Sequence, residues 1–237
     1  MNPNQLAECP LVLKEFLGYM ETIKGKSPKT VQEYFLDLRT FFRYMKIKKN
    51  LTAADTEFSE IPIDDITIDF LSMVSLTDVY EFMNFVTIER ENKNAARARK
   101  SASLRAFFQY LTNKTHQLKE NPVQELETPK QKKSLPKYLT LEQSIDLLNA
   151  VDGPFRERDY CILTLFLNCG LRLAELVGLN LNDIRPDHTM RVTGKGNTER
   201  MIYLNSACQK AIEEYLKVRP NPMSVPDKQA LFINHLN

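Results

Sequence analysis

The stretch Asn168-Cys169-Gly170-Leu171-Arg172-Leu173-Ala174-Glu175-Leu176 organises the reading of this chain. Ahead of it lies a strongly apolar segment through Ile162, Leu163, Leu165, Phe166 and Leu167, which reads as a buried helix. Its longest apolar run, Tyr160 to Leu167, is far too short to span a bilayer. Gly170 marks the end of that helix, because glycine takes the left-handed conformation there without steric cost. A short second helix then carries Arg172 to Leu179 and places Arg172 and Glu175, three apart, on one face. Taken alone, Arg-x-x-Glu is most simply a surface ion pair. An arginine at a helix start beside a glycine also presents its planar fork in a form that suits phosphate.

Downstream the periodicity becomes alternating. Thr189–Thr193 and Glu199–Leu204 read as strands flanking Gly194-Lys195-Gly196-Asn197, a hairpin with Gly-Asn at its turn. A Walker loop needs Gly-x-x-x-x-Gly-Lys-Ser/Thr before a helix, and these residues do not supply it. A dinucleotide fingerprint fails too, since Glu199 stands where its third glycine belongs. Lys195 is then either a solvated turn lysine or a mobile cation that the hairpin delivers to a phosphate. Asn205 or Ser206 caps a further helix with Cys208, Ala211, Ile212, Tyr215 and Leu216 inward, and beyond a Pro-broken loop Leu231-Phe232-Ile233 is strand-like.

Upstream the signals are helical. One helix is expected around Leu11 to Ile23. Ser27-Pro28 is an N-cap and first-turn pair for a second, whose apolar stripe is Val31, Tyr34, Phe35, Leu38, Phe41, Phe42 and Met45. A shorter helix follows Thr77, burying Val79, Phe82, Met83 and Val86, and another runs from about Asn94 to Leu111. That last segment bears Arg90, Lys93, Arg97, Arg99, Lys100 and Arg105 among small neighbours. Such a face is ordinarily solvated; narrow and cationic, it also fits a major groove. From Lys119 to Lys137, three prolines and the lysines at 130, 132, 133 and 137 read as an extended basic linker. The second unit opens with the capping box Thr140-x-x-Gln143.

These elements predict a mainly α chain of two domains, an all-helical one over 1–118 and an α-rich one with a small antiparallel hairpin over 138–237, joined by the 119–137 linker. A length of 237 residues allows one or two domains. Scarce glycine, 7 in all, argues against an all-β architecture. The formal charge of +2 conceals an asymmetry: Asp55, Glu57, Glu60, Asp64, Asp65 and Asp69 fall in a stretch without Lys or Arg, leaving the remainder basic and compatible with a polyanion. The four cysteines form no C-x-x-C pair and the three histidines lie far apart, which supports neither structural zinc nor a disulfide framework. Buried, reduced thiols and a cytoplasmic location are expected, and the start of the chain has no signal-peptide pattern.

Residues 168–184 closely resemble the first arginine box of the tyrosine recombinase (phage-integrase) family, and Gly194-Lys195-Gly196-Asn197-Thr198-Glu199-Arg200 resembles its β-hairpin lysine motif. Ser27-Pro28-Lys29-Thr30-Val31-x-x-Tyr34 and Arg105-Ala106-Phe107-Phe108-x-Tyr110-Leu111 are similar to its helical core-binding domain. Asn121-Pro122-Val123 and Leu135-Pro136-Lys137-Tyr138-Leu139-Thr140 resemble its linker and the entry to its catalytic domain, with a likeness throughout to the Xer type. The resemblance implies strand breakage and rejoining on double-stranded DNA through a 3′-phosphotyrosyl intermediate, without metal or nucleotide cofactor. It makes Arg172 a cation on the scissile phosphate, Lys195 the general acid and Glu175 a supporting residue. DNA contacts are expected from Arg97, Lys100, Arg105, Lys132 and Lys133.

In that family a His-x-x-Arg box and a late nucleophilic tyrosine follow the lysine motif, and the 237 residues supply neither: His235 precedes only Leu236 and Asn237. The catalytic domain is therefore expected to be incomplete here, the chain unable to cleave DNA and monomeric, where the family works as homo- or hetero-tetramers on DNA. The alternative is a non-catalytic DNA-binding module or a regulator that occupies recombination sites.

Overall fold

A serine followed by proline sets the longest helix. In the computed structural model, which describes residues 3–53, 55–127, 135, 137–194, 196–222 and 228–234, the Ser27 hydroxyl accepts the Thr30 amide and Pro28 opens a helix that runs to Lys48. Proline fits there because its missing N–H would have no intrahelical partner. The chain divides into two units, 1–134 and 135–237. Among the described residues it is mainly helical, with ten α-helices, a one-turn 3-10 helix and one two-stranded antiparallel sheet.

The first unit contains α1 (Pro3–Glu8), α2 (Leu11–Thr22), α3 (Pro28–Lys48), α4 (Ile68–Ser72), α5 (Leu76–Ile88) and α6 (Asn94–Asn113). Its core is built on phenylalanine: Phe16, Phe35, Phe41, Phe42, Phe82, Phe107 and Phe108 are fully buried. The rings meet edge to face, Phe41 with Phe82 at 5.1 Å and Phe16 with Phe107 at 5.3 Å, the arrangement the ring quadrupole favours. The expected start of α5 at Thr77 moves upstream. Ser75 is the cap, in a reciprocal box with Asp78, and Thr77 lies inside the helix. Helices α1 and α4 have no counterpart in the sequence reading, because six- and five-residue helices are too short to show a period.

The expected linker is also shorter at its start. Val123 and Leu126 are buried in the first unit's core, and the Arg105 guanidinium donates to the Leu126 carbonyl at 2.9 and 3.2 Å. Residues up to 127 thus fold back onto the helical unit. Lys130, Lys132 and Lys133 lie outside the described residues.

The second unit contains α7 (Leu141–Asn149), α8 (Arg156–Cys169), α9 (Leu173–Val177), the 3-10 turn Leu181–Asp183, β1 (Thr189–Thr193), β2 (Glu199–Tyr203) and α10 (Ser206–Val218). The Thr140–Gln143 capping box forms as expected. Strands β1 and β2 pair from Thr189 opposite Tyr203 to Thr193 opposite Glu199, with positive φ at Gly196 and Asn197 in the turn. Asn205, of the two candidates, caps α10 by accepting the Cys208 amide. The strand expected at 231–233 is corrected: the described residues there form a single bridge, Ala230 with Asn180, and Leu231 donates to the Leu179 carbonyl. With one bridging residue no ladder develops, and Leu231 and Ile233 are buried as loop residues.

Candidate active site

Gly170 ends α8 with φ 57° and ψ 38°, turning the chain so that Arg172 becomes the residue before α9. That position leaves the first amides of the helix without intrahelical partners. Glu175, three residues on, supplies one acceptor by reaching back: its Oε2 accepts the Arg172 backbone N–H at 2.9 Å. Its Oε1 accepts Arg172 Nη1 at 2.7 Å. The Glu175 side chain is 3% exposed and that of Arg172 75% exposed. The arrangement differs from a pair of solvated surface charges. A buried carboxylate grips the arginine at its backbone and at one guanidinium nitrogen, and most of the guanidinium stays open to solvent.

A second arginine completes the carboxylate. Arg200, on β2, donates Nη1 to Oε1 at 2.8 Å and Nη2 to Oε2 at 2.9 Å, a bidentate fork-to-fork pair. Arg200 lies within the hairpin motif, but nothing in its spacing marks it as a partner of Glu175. These bonds hold the Glu175 carboxyl well below the usual carboxylate range, first through the Arg200 guanidinium and next through the Arg172 amide. The same pairing raises the Arg200 guanidinium.

The hairpin loop closes against this carboxylate. Gly194 donates its N–H to the Thr198 carbonyl at 2.7 Å. A Cβ at Gly194 would lie 3.2 Å from Thr198 Oγ1 and 3.3 Å from Glu175 Oε1, so this glycine serves a close approach. Lys195, the next residue, lies outside the described residues. The hairpin is anchored on its other side by Arg191, whose Nε and Nη2 both donate to Asp183 Oδ1 at 3.0 and 2.9 Å.

Behind these segments the ends of α8 and α10 are tied together. Asn205 Nδ2 donates to Asn168 Oδ1 at 2.8 Å, and the Cys169 and Cys208 sulfurs share a contact of 3.9 Å. The four cysteines are free thiols, three buried and Cys169 half-buried. Burial pushes the Cys161 thiol up to about 12. No group of three or more His, Cys, Asp or Glu with metal-binding geometry occurs among the described residues. No helix there is long and apolar enough to cross a membrane.

The cationic face expected on α6 is corrected at Lys100. Its ammonium donates to Asp37 Oδ1 at 2.8 Å, and the pair is buried between α3 and α6. Arg99 Nη1 and Ser103 Oγ occupy Asp37 Oδ2, each at 2.8 Å. The reason is tertiary: the helix turns Lys100 toward a buried carboxylate, where an ion pair offsets its desolvation. Arg97 and Arg105 are both half-buried. Arg97 donates to Thr87 Oγ1 at 3.1 Å and to Asn94, and Arg105 holds the Leu126 carbonyl.

Residues 137–237 match the model of the phage integrase family. The chain is 53% identical over 225 residues to tyrosine recombinase XerC of Caldanaerobacter subterraneus subsp. tengcongensis, covering 95% of this chain and 63% of that protein. It is 32% identical to XerC of Myxococcus xanthus, covering 94% and 70%, and 31% identical to XerD of Listeria monocytogenes serotype 4b, covering 94% and 71%. The chain thus spans roughly two thirds of the length of these relatives. Among solved structures, the XerH site-specific recombinase bound to difH substrate aligns with a TM-score of 0.66 at 16% identity, over 99% of this chain and 67% of that one. A lambda integrase dimer bound to a COC' core site aligns at 0.60 and 17%, over 87% and 70%. These structural likenesses support the fold. The sequence identities lead to one assignment: the chain belongs to the Xer tyrosine recombinases of the phage integrase family.

Proposed function

We propose that this chain carries the DNA-binding helical unit and the first part of the catalytic domain of a site-specific DNA recombinase. Arg172 binds a non-bridging oxygen of the scissile phosphodiester, and Lys195 acts as general acid on the leaving 5′-oxygen. The observation that supports this reading is the Arg172 guanidinium, mostly open to solvent yet held at one nitrogen by buried Glu175.

A transesterification at phosphorus accumulates negative charge on the non-bridging oxygens, and a cation already oriented there needs no reorganisation as the charge develops. Glu175 supplies that orientation without cancelling the free face of the guanidinium. The family reaction uses a tyrosine as nucleophile and stores the phosphodiester bond as a 3′-phosphotyrosyl link. The 237 residues contain no His-x-x-Arg box after the lysine motif, so this chain by itself holds DNA and does not cut it. Arg97 and Arg105, with Lys132 and Lys133, remain the proposed backbone contacts outside the site. The working partner is duplex DNA, with other recombinase subunits bound alongside, in the cytoplasm.

The test is duplex binding by the 237-residue chain together with a nicked suicide substrate. Binding of the wild-type chain, about tenfold weaker for Arg172→Ala at unchanged thermal stability, supports the reading. Equal binding by both removes Arg172 from the phosphate. A covalent adduct on a denaturing gel would overturn the view that this chain lacks its nucleophile.

A further inference from the structure

We infer that Arg200 is a positioning residue for Arg172, acting through Glu175; this rests on the proposed phosphate-binding role of Arg172. The carboxylate of Glu175 accepts four hydrogen bonds, and they are divided evenly. Arg172 supplies two, from its backbone amide and Nη1, and Arg200 supplies two, from Nη1 and Nη2. Each oxygen thus serves both arginines. Rotation of the carboxylate to favour one arginine breaks a bond to the other.

The two donors reach Glu175 from different parts of the chain, Arg172 from the turn after α8 and Arg200 from β2. The Arg172 contacts alone hold the carboxylate from one side of the chain only. The Arg200 fork fixes its plane, because a bidentate pair is rigid in both distance and angle. At Gly194 of the hairpin a Cβ would lie 3.3 Å from the same Oε1, so the loop approaches the carboxylate too closely for a side chain there. Arg200 therefore bears on two things together: the orientation of the Arg172 guanidinium and the approach of Gly194 to Glu175. Its own side chain is 40% exposed, and both terminal nitrogens are committed to Glu175. Its positive charge also lets a buried carboxylate stay ionised without drawing Arg172 inward.

Two measurements on the 237-residue chain test this. In a double-mutant cycle for duplex binding, Arg172→Ala is expected to weaken binding about tenfold and Arg200→Gln about fivefold. The double variant is expected to match Arg172→Ala, about tenfold, because the two residues act in series. A loss near fiftyfold would mean that Arg200 meets DNA independently, and would overturn the inference. Amide hydrogen exchange without DNA supplies the second readout. Arg200→Gln should speed exchange in 172–176 and 194–198, and Arg200→Lys, which keeps a charge and one bond, should restore most of the protection. Unchanged exchange in Arg200→Gln overturns the inference whatever the DNA result. If Arg172→Ala leaves binding intact, the phosphate reading fails alone and the exchange data still decide the role of Arg200. Should Arg200→Gln prove unfolded by circular dichroism, the Arg200→Met variant, similar in length and without donors, carries both measurements, with wild-type exchange as the overturning result.

Discussion

The two units use buried charge in opposite ways. In the first, Asp37 is sealed between α3 and α6 and takes Lys100, Arg99 and Ser103, with Lys100 itself buried. In the second, Glu175 is equally buried, but one of its two partners, Arg172, is three-quarters exposed. One carboxylate consumes its cation and the other presents it. The difference is geometric. Lys100 lies mid-helix and faces a neighbouring helix, whereas Arg172 precedes a helix, where only its backbone amide and one nitrogen are held. A charge at a helix interior is recruited into packing, and a charge at a helix start can be held through its backbone amide and one guanidinium nitrogen with the rest left open.

The largest expected effect breaks the first of these arrangements. Asp37→Ala leaves a buried ammonium without its carboxylate and should cost about 3–5 kcal/mol in urea unfolding of the first unit. A cost below about 1 kcal/mol would show that Lys100 reaches solvent and belongs with the DNA contacts after all.

Arg172→Ala should do the reverse. An exposed side chain of this kind contributes within about 0.5 kcal/mol to stability, and its loss should appear as a roughly tenfold fall in duplex affinity. A substantial drop in melting temperature with unchanged affinity would turn the presented cation into a structural one.

The acid limb sharpens the contrast. Glu175 is depressed in the folded chain by its bonds from Arg200 and Arg172, so its contribution is fully present above the ordinary glutamate value of about 4.3. It is lost as pH falls below that value toward the folded one. Glu175→Gln should therefore lower stability near neutrality and flatten the decline below about pH 4. A variant whose acid profile parallels the wild type would show that these bonds do not favour the charged form. Asp78 of the first unit is also depressed: burial acts against ionisation, but the bonds from Lys48 and Ser75 overcome it, so the comparison is best made with Asp78 intact.

The smallest effect is expected at Arg97, which is half-buried and donates to Thr87 and Asn94. Arg97→Ala should reduce the slope of log affinity against log salt by about one unit at most. No change in slope would remove Arg97 from the DNA interface and leave Arg105 as the proposed contact on α6.

Much of this was legible in local sequence. Ser27-Pro28, the Thr140–Gln143 box, Gly170 and the Gly196-Asn197 turn each act over a few residues, so their chemistry determines the local backbone whatever surrounds it. The pairing of Arg172 with Glu175 was likewise a matter of helical spacing. The helices α1 and α4 were hidden by their length, and the fold-back of Val123 and Leu126 by prolines that read as a linker. The apparent strand at 231–233 failed because β-propensity alone cannot supply a partner strand. Tertiary structure decided where the charges went. Asp37 and Lys100 are 63 positions apart, and Arg200 and Glu175 are 25 apart, so no periodicity could join either pair. Sequence determined the helix starts, stops and turns, because those depend on backbone hydrogen bonds within a turn or two. Burial and charge partners depend on which faces meet, and only the packed fold brings those faces together.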